Sequence, residues 1–158
     1  MTLPLQDQVA FITGAGSGLG AETARRLARD GAIIAVNDLN ETAAQSIANE
    51  VGGIALPFDV VDSHAFDLAV DSCVSQLGRI DILVNNAGAA WGAPLGEFPE
   101  MGFDKVMDIN VKAPFMLTQA FLPQLKAGAS DEDPARVVMI GSIDGIRVPV
   151  GDNYSYSA

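Results

Sequence analysis

The sequence holds one cysteine, one histidine and one tryptophan in 158 residues. A lone thiol excludes an internal disulfide. Cys73 shares helical spacing with Ala69, Val70 and Leu77, which marks it as a packing residue rather than a reactive one. His64 falls at the start of the same helical pattern and has no catalytic partner, and metal-ligand spacing is absent. Basic residues are scarce, 9 against 20 acidic ones, for a net charge of -11. That balance argues against nucleic acid as a partner, because phosphate contacts need clustered Lys and Arg. No Lys or Arg occurs between Met1 and Ala24, so the charged start of a secretory or transit peptide is lacking and the cytosol is the expected compartment. No apolar run reaches the roughly 18 residues that a membrane helix requires.

Apolar residues are plentiful, at 49%. The length suits one domain with a real core, and the richness in Val, Ile and Ala suits a parallel sheet buried on both faces. Strand and helix patterns alternate along the chain. Strands are expected at Val9 to Ile12, Ile33 to Val36, Ile54 to Phe58, Ile82 to Val84 and Val137 to Ile140. A helix through Thr23, Leu27 and Ala28 ends at Gly31, and Asn40 caps a second carrying Ala43, Ile47 and Val51. A third runs from Ser63 to Leu77 and closes at Gly78. A long helix covers about Gly102 to Leu125. Ala127 to Pro134 reads as a linker, with Asp131, Glu132 and Asp133 as a solvated loop. Such alternation predicts βαβ crossovers, hence an α/β, Rossmann-type, doubly wound parallel sheet with helices on both faces.

The turn Thr13-Gly14-Ala15-Gly16-Ser17-Gly18-Leu19-Gly20 directly follows the first strand and opens the first helix. Glycines there let a pyrophosphate approach the main chain, where the helix offers free N–H groups and its positive dipole end. Gly14, Ser17, Gly18, Leu19 and Gly20 are therefore candidate nucleotide-binding positions. No lysine is needed, which reconciles an acidic protein with an anionic ligand. Asp38 ends the second strand, 18 residues past Gly20. A carboxylate there can accept hydrogen bonds from ribose hydroxyls and repel a 2′-phosphate. Ser17 supplies no cation to offset such a phosphate, so NAD is favoured over NADP.

Together, Thr13-Gly14-x-x-x-Gly18-x-Gly20, Asp59-Val60, Asn85-Asn86-Ala87-Gly88, Asn110 and Ser142 occur in an order that resembles the classical short-chain dehydrogenases/reductases. The resemblance covers essentially the whole chain. It implies hydride transfer between NAD and a secondary alcohol or ketone. It also implies that Asp59 and Val60 flank the adenine, and that Asn86, Ala87 and Gly88 line the adenosine ribose and support the sheet. Ser142 would hydrogen-bond the substrate carbonyl, and a tyrosine would donate or accept the proton. The family pattern places a lysine four residues after that tyrosine, where its ammonium lowers the phenol pKa. Tyr154 is followed at that spacing by Ala158, so Tyr156 is the expected acid–base residue.

Asn110 carries a physical argument of its own. Pro114, four residues on, has no N–H, so the carbonyl of Asn110 loses its helical partner and can hold a water. In the family that water continues a proton relay. The segment Ala89 to Pro94 is expected at the substrate entrance, where Trp91 either contacts substrate or covers the sheet edge.

Position 160, where the lysine of Tyr156 would fall, lies past the last residue. Residues 1–158 are accordingly expected to form a single NAD-binding domain, incomplete at its C-terminus and inactive alone. The partner is expected to be a small alcohol or ketone, with neither nucleic acid nor membrane involved. Family members commonly form dimers or tetramers, so a homo-oligomer is expected at full length. Two alternatives stand beside this reading: an NADPH-dependent 3-oxoacyl-carrier-protein reductase, and a non-catalytic dinucleotide-binding protein.

Overall fold

Short runs of Val, Ile and Ala pack best on a pleated surface covered on both sides, and five such runs become strands. They are β1 (Val9–Ile12), β2 (Ile33–Val36), β3 (Ile54–Ala55), β4 (Ile82–Asn85) and β5 (Arg136–Met139), in a computed structural model that describes residues 3–147 and 149–158. All neighbours pair in parallel, in the order β3-β2-β1-β4-β5. The helices are α1 (Gly18–Arg29), α2 (Glu41–Val51), α3 (His64–Leu77), α4 (Glu100–Met107), α5 (Ala113–Gly128) and α6 (Tyr154–Ser157). Among the described residues, no helix is long and apolar enough to cross a membrane.

Alternate residues of the central strands feed two cores. Ala10, Ile12, Ile34 and Val36 meet α1 and α2 through Ala21, Ala24, Ala44 and Ile47 on one face. Val9, Phe11, Ala35 and Leu83 meet α3 and α5 through Phe66, Cys73, Leu117 and Phe121 on the other. Phe11 and Phe121 pack edge to face at 4.6 Å. Such a geometry adds about 0.5–1.5 kcal/mol beyond the area it buries. Cys73 is fully buried in this second core, and burial pushes its thiol pKa up to about 12.

A buried carboxylate braces the opposite end of the sheet from the glycine turn. Asp81, 4% exposed, accepts the N–H of Val9 at 2.8 Å and the guanidinium of Arg79 at 2.6 and 2.9 Å. Its own N–H donates to the carbonyl of Val9, and its carbonyl accepts from Arg136. One residue thus pins the starts of β1, β4 and β5.

Several sequence expectations are corrected. β3 ends at Ala55 rather than Phe58. The N–H of Leu56 still reaches the carbonyl of Val36, but Pro57 has no N–H with which to continue the ladder. β5 begins at Arg136 and, among the described residues, pairs with β4 alone, which leaves Val137, Val138 and Met139 41–54% exposed. The long helix is two helices joined by a π-turn at Asp108–Lys112. The acidic loop is only partly solvated: Asp133 accepts both from Gln8 at 3.0 Å and from Arg136 at 3.2 Å.

Candidate nucleotide and active site

Strand order reverses between β1 and β4, and in open parallel sheets the crevice at the carboxyl ends beside such a reversal is where ligands bind. Most expected site residues follow a strand there, whereas Asn110 arrives from the π-turn and Tyr156 from α6. The structure gathers Gly14, Ser17, Gly18, Leu19, Gly20, Asp38, Asp59, Val60, Asn86, Ala87 and Gly88 around one cavity of about 420 Å³.

The floor of this cavity is the start of α1. Gly18 adopts a φ of +54°, which disfavours any side chain, and the space above its Cα is open. Ser17 occupies the N-cap position without a side-chain capping bond, and the first turn holds no acidic residue. The contrast with α2 is plain: Asn40 caps it through the N–H of Ala43 and Glu41 sits in its first turn. The α1 amides and dipole therefore face the cavity without an internal anion, the arrangement that suits a phosphate. The donor set fits the pyrophosphate of a dinucleotide.

Asp38 forms the next wall. One of its oxygens accepts the N–H of Gly16 at 2.9 Å, and the other accepts that of Asn40 at 2.9 Å. Each oxygen keeps a further lone pair for a hydroxyl donor. Any side chain at position 16 would meet this carboxylate at 2.8 Å. No Lys or Arg lines the cavity.

The loop after β4 is lashed to the glycine turn. Thr13 Oγ1 accepts the N–H groups of Asn86 and Ala87, each at 3.0 Å, and Asn86 Nδ2 donates to the carbonyls of Thr13 and Gly14 at 2.9 and 3.0 Å. The Asn86 side chain thus braces the turn, and its neighbours Ala87 and Gly88 complete the cavity lining.

Four wall residues were not anticipated: Asn37, Leu39, Phe58 and Ile109. Asn37 is fully buried and donates to the carbonyls of Leu56 and Phe58, both at 3.1 Å, which ties the end of β2 to the segment leading into Asp59 and Val60. A polar residue directly after an all-apolar strand was the signal available for it.

A second cavity, of about 800 Å³, adjoins the first. Asn110, Ser142 and Tyr156 line it together, with Pro114, Phe115, Ile140 and Ser155. Asn86, Ala87 and Gly88 line both cavities. Asn110 sits in the π-turn, where its Oδ1 accepts the N–H of Ala89 and its Nδ2 donates to the carbonyl of Ala89, both at 2.8 Å. Two bonds in one plane fix the amide and hold the β4 loop against the helix. Ser142 caps a single 3-10 turn (Ile143–Gly145), its Oγ accepting the N–H of Asp144 at 3.2 Å. Its hydroxyl proton stays free for a donor role.

The two tyrosines separate cleanly in space. Tyr156 faces the second cavity. Tyr154 donates to Asp152 at 3.0 Å and packs edge to face on Phe98 at 5.8 Å. The neighbouring Asp152 carboxylate holds the Tyr154 phenol above its ordinary pKa. Trp91 lies flat over Gly102 of α4, where an added Cβ would stand 2.7 Å from the indole, and Lys105 approaches its ring at 6.0 Å. Packing on the helix, rather than on the sheet edge, accounts for its position.

The open parallel sheet, the uncapped glycine turn and the serine–tyrosine cavity at its carboxyl end define a Rossmann-type nucleotide-binding protein. A family model described as short chain dehydrogenase matches residues 8–158. The rhamnolipids biosynthesis 3-oxoacyl-[acyl-carrier-protein] reductase of Pseudomonas aeruginosa is 36% identical over 157 residues, covering 96% of this chain and 61% of that protein. Among solved structures, the RhlG/NADP active-site complex of Pseudomonas aeruginosa has a TM-score of 0.92 at 34% identity, covering 97% of this chain and 61% of that one. The 3-ketoacyl-(acyl-carrier-protein) reductase of Brucella melitensis complexed with NADH has a TM-score of 0.90 at 30% identity, covering 97% and 64%. This chain belongs to the short-chain dehydrogenase family. It spans about three-fifths of the length of the relatives it matches.

Proposed function

We propose that the protein containing this chain is an NAD-dependent oxidoreductase that interconverts a secondary alcohol and a ketone. The observation that carries the reading is the shared wall at Asn86, Ala87 and Gly88. The α1 amides would hold the phosphates of a dinucleotide, and that wall would connect them to the cavity of Ser142 and Tyr156. When bound, the nicotinamide accepts the hydride from the alcohol carbon or returns it to the ketone. The protein's residues handle the oxygen and the proton. Ser142 donates its free hydroxyl proton to the substrate oxygen and orients it. Tyr156 takes the hydroxyl proton during oxidation and gives it back during reduction. Asn110 fixes the β4 loop through Ala89, and its carbonyl, facing a proline four residues on, serves as a water site for proton exchange with solvent.

Asp38 supports NAD, since a 2′-phosphate would meet a carboxylate and no cation. Residues 1–158 act in this reading as one dinucleotide-binding domain of a homo-oligomeric enzyme with a small-molecule substrate. The test is a panel of secondary alcohols and ketones offered to the full-length protein with each nicotinamide cofactor, followed by nicotinamide absorbance. Turnover with NAD that is lost in Tyr156→Phe supports the proposal; no turnover on the panel, or an unaffected Tyr156→Phe, overturns it. The likeness to the Pseudomonas reductase favours a second reading, reduction of a 3-oxoacyl thioester with NADPH. Faster NADPH than NADH oxidation on such a thioester would establish it instead.

A further inference from the structure

Two hydroxyls must reach one substrate oxygen for the proposed chemistry, yet they belong to different elements. Ser142 stands in the loop after β5, and Tyr156 stands in α6. The segment between them contains Gly145, Pro149 and Gly151, and its described residues form no strand or long helix that would fix its span. Something else must hold the two hydroxyls at a working separation.

The hydrogen bonds supply a direct link. Ser142 Oγ accepts the N–H of Asp144 at 3.2 Å. The Asp144 side chain, 21% exposed, turns toward α6, where its Oδ2 accepts from Asn153 Nδ2 at 3.2 Å. The carbonyl of Asn153 in turn accepts the N–H of Tyr156 at 3.0 Å and that of Ser157 at 3.1 Å. Asn153 Oδ1 accepts the hydroxyl of Ser157 at 3.2 Å, which fixes the orientation of its amide. One continuous path thus runs from the serine hydroxyl through Asp144 and Asn153 to the backbone of the tyrosine. Among the described residues, Asn153 to Asp144 is the only hydrogen bond joining residues 142–147 to residues 149–158. On its other side the tyrosine segment is held by Ala93, whose N–H donates to the carbonyl of Asp152 at 3.0 Å, and by the Phe98–Tyr154 pair. Those contacts set α6 against the β4 loop. They do not set it against the serine.

We propose that Asp144 and Asn153 form a clamp that positions Ser142 and Tyr156 relative to each other, and so act as positioning residues for the reaction. The inference rests on the reading of Ser142 and Tyr156 given under Proposed function. Neither clamp residue lines the nucleotide cavity. Loosening the clamp therefore lowers the rate of the chemical step and leaves the nucleotide seat intact. Arg147 pairs with the other Asp144 oxygen at 3.3 Å and is 57% exposed, so it is an accessory that the clamp can lose.

The test uses the full-length protein, with steady-state kinetics, NADH titration and thermal melting on each variant. Asp144→Ala is expected to lower kcat by about ten- to a hundredfold, the cost of a misplacement of about 1 Å, with the NADH Kd within about twofold. Asn153→Asp sets two carboxylates against each other and is expected to lose at least as much. The decisive variant exchanges the partners: Asp144→Asn combined with Asn153→Asp restores one donor and one acceptor, and kcat is expected to return to within about threefold of the wild type. Arg147→Ala is expected to stay within about twofold of the wild type. Wild-type kcat in Asp144→Ala overturns the clamp. So does a loss of kcat matched by weaker NADH binding and a lower melting temperature, and so does an exchange variant that fails to recover. A wild-type protein that turns over no alcohol or ketone overturns instead the reading beneath it, and the clamp falls with that reading.

Discussion

Replacing Asp38 with alanine tests the nucleotide assignment most directly. The carboxylate is half-buried, each oxygen holds one backbone N–H, and each has capacity left for a ribose hydroxyl. A hydrogen bond to a charged group contributes about 1.5–3 kcal/mol. At about 1.4 kcal/mol per tenfold, Asp38→Ala raises the NADH Kd by about ten- to a hundredfold. The effect on NADPH has the opposite sign. A phosphate charge about 4 Å from the carboxylate is repelled by about 1 kcal/mol in a water-like dielectric and about 4 kcal/mol at an effective dielectric near 20. Removing that repulsion strengthens NADPH binding by about fivefold or more, so the NADH-to-NADPH preference moves by at least about fiftyfold. Adding Ser17→Arg, at an exposed position on the cavity rim, extends the shift in the same direction. The assay is titration of both reduced nucleotides into the full-length protein at low and high salt. Wild-type NADPH binding should improve with salt if repulsion sets its weakness. A preference unchanged within about twofold in Asp38→Ala would refute the reasoning, whatever the absolute affinities.

Three further predictions follow from the geometry. Tyr156→Phe lowers kcat by about 10²–10⁴-fold with NADH affinity retained, whereas Tyr154→Phe, which loses only the bond to Asp152, stays within about threefold; stopped assays on both separate the tyrosines. Gly16→Ala forces a methyl to within 2.8 Å of the Asp38 carboxyl and of Ala43 Cβ, which costs about 1–3 kcal/mol and weakens NADH binding, as melting and titration will show together. Cys73 resists thiol reagents in the folded protein, because burial raises its pKa from 9.0 to about 12. An acid whose pKa is raised by folding stabilises fully below its unfolded pKa, so denaturant midpoints should fall as pH climbs from 9.0 toward about 12, and Cys73→Ala should flatten that fall.

Periodicity and punctuation in the sequence predicted most of the fold. Gly52 and Gly78 end α2 and α3 in the left-handed region, and Asn40 caps α2 through its side chain, as short-range chemistry requires. What escaped depends on partners distant in the chain. β5 begins at Arg136 rather than Val137 because it pairs with β4 from Ile82 onward, a register that local composition does not encode. Asp133 reads as solvated because its partner, Gln8, lies 125 positions away. Pro114 signalled a disturbance in the long helix; the π-turn that the structure shows there carries Asn110, whose side chain closes two bonds on Ala89, 21 positions away. The motif residues that the structure gathers around the first cavity were legible in the sequence, whereas Asn37 and Ile109 join them only because the end of β2 and the π-turn converge there.

The lashing of Thr13 to Asn86 and Ala87 has a mechanical meaning. Four hydrogen bonds make the phosphate seat and the partition between the two cavities one stiff piece, anchored on the two innermost strands. Residues 89–99, 142–147 and 149–156, which border the proposed substrate position, lie outside that piece. Under the proposed function, substrate choice can change by rewriting those borders while the nucleotide-binding residues stay as they are.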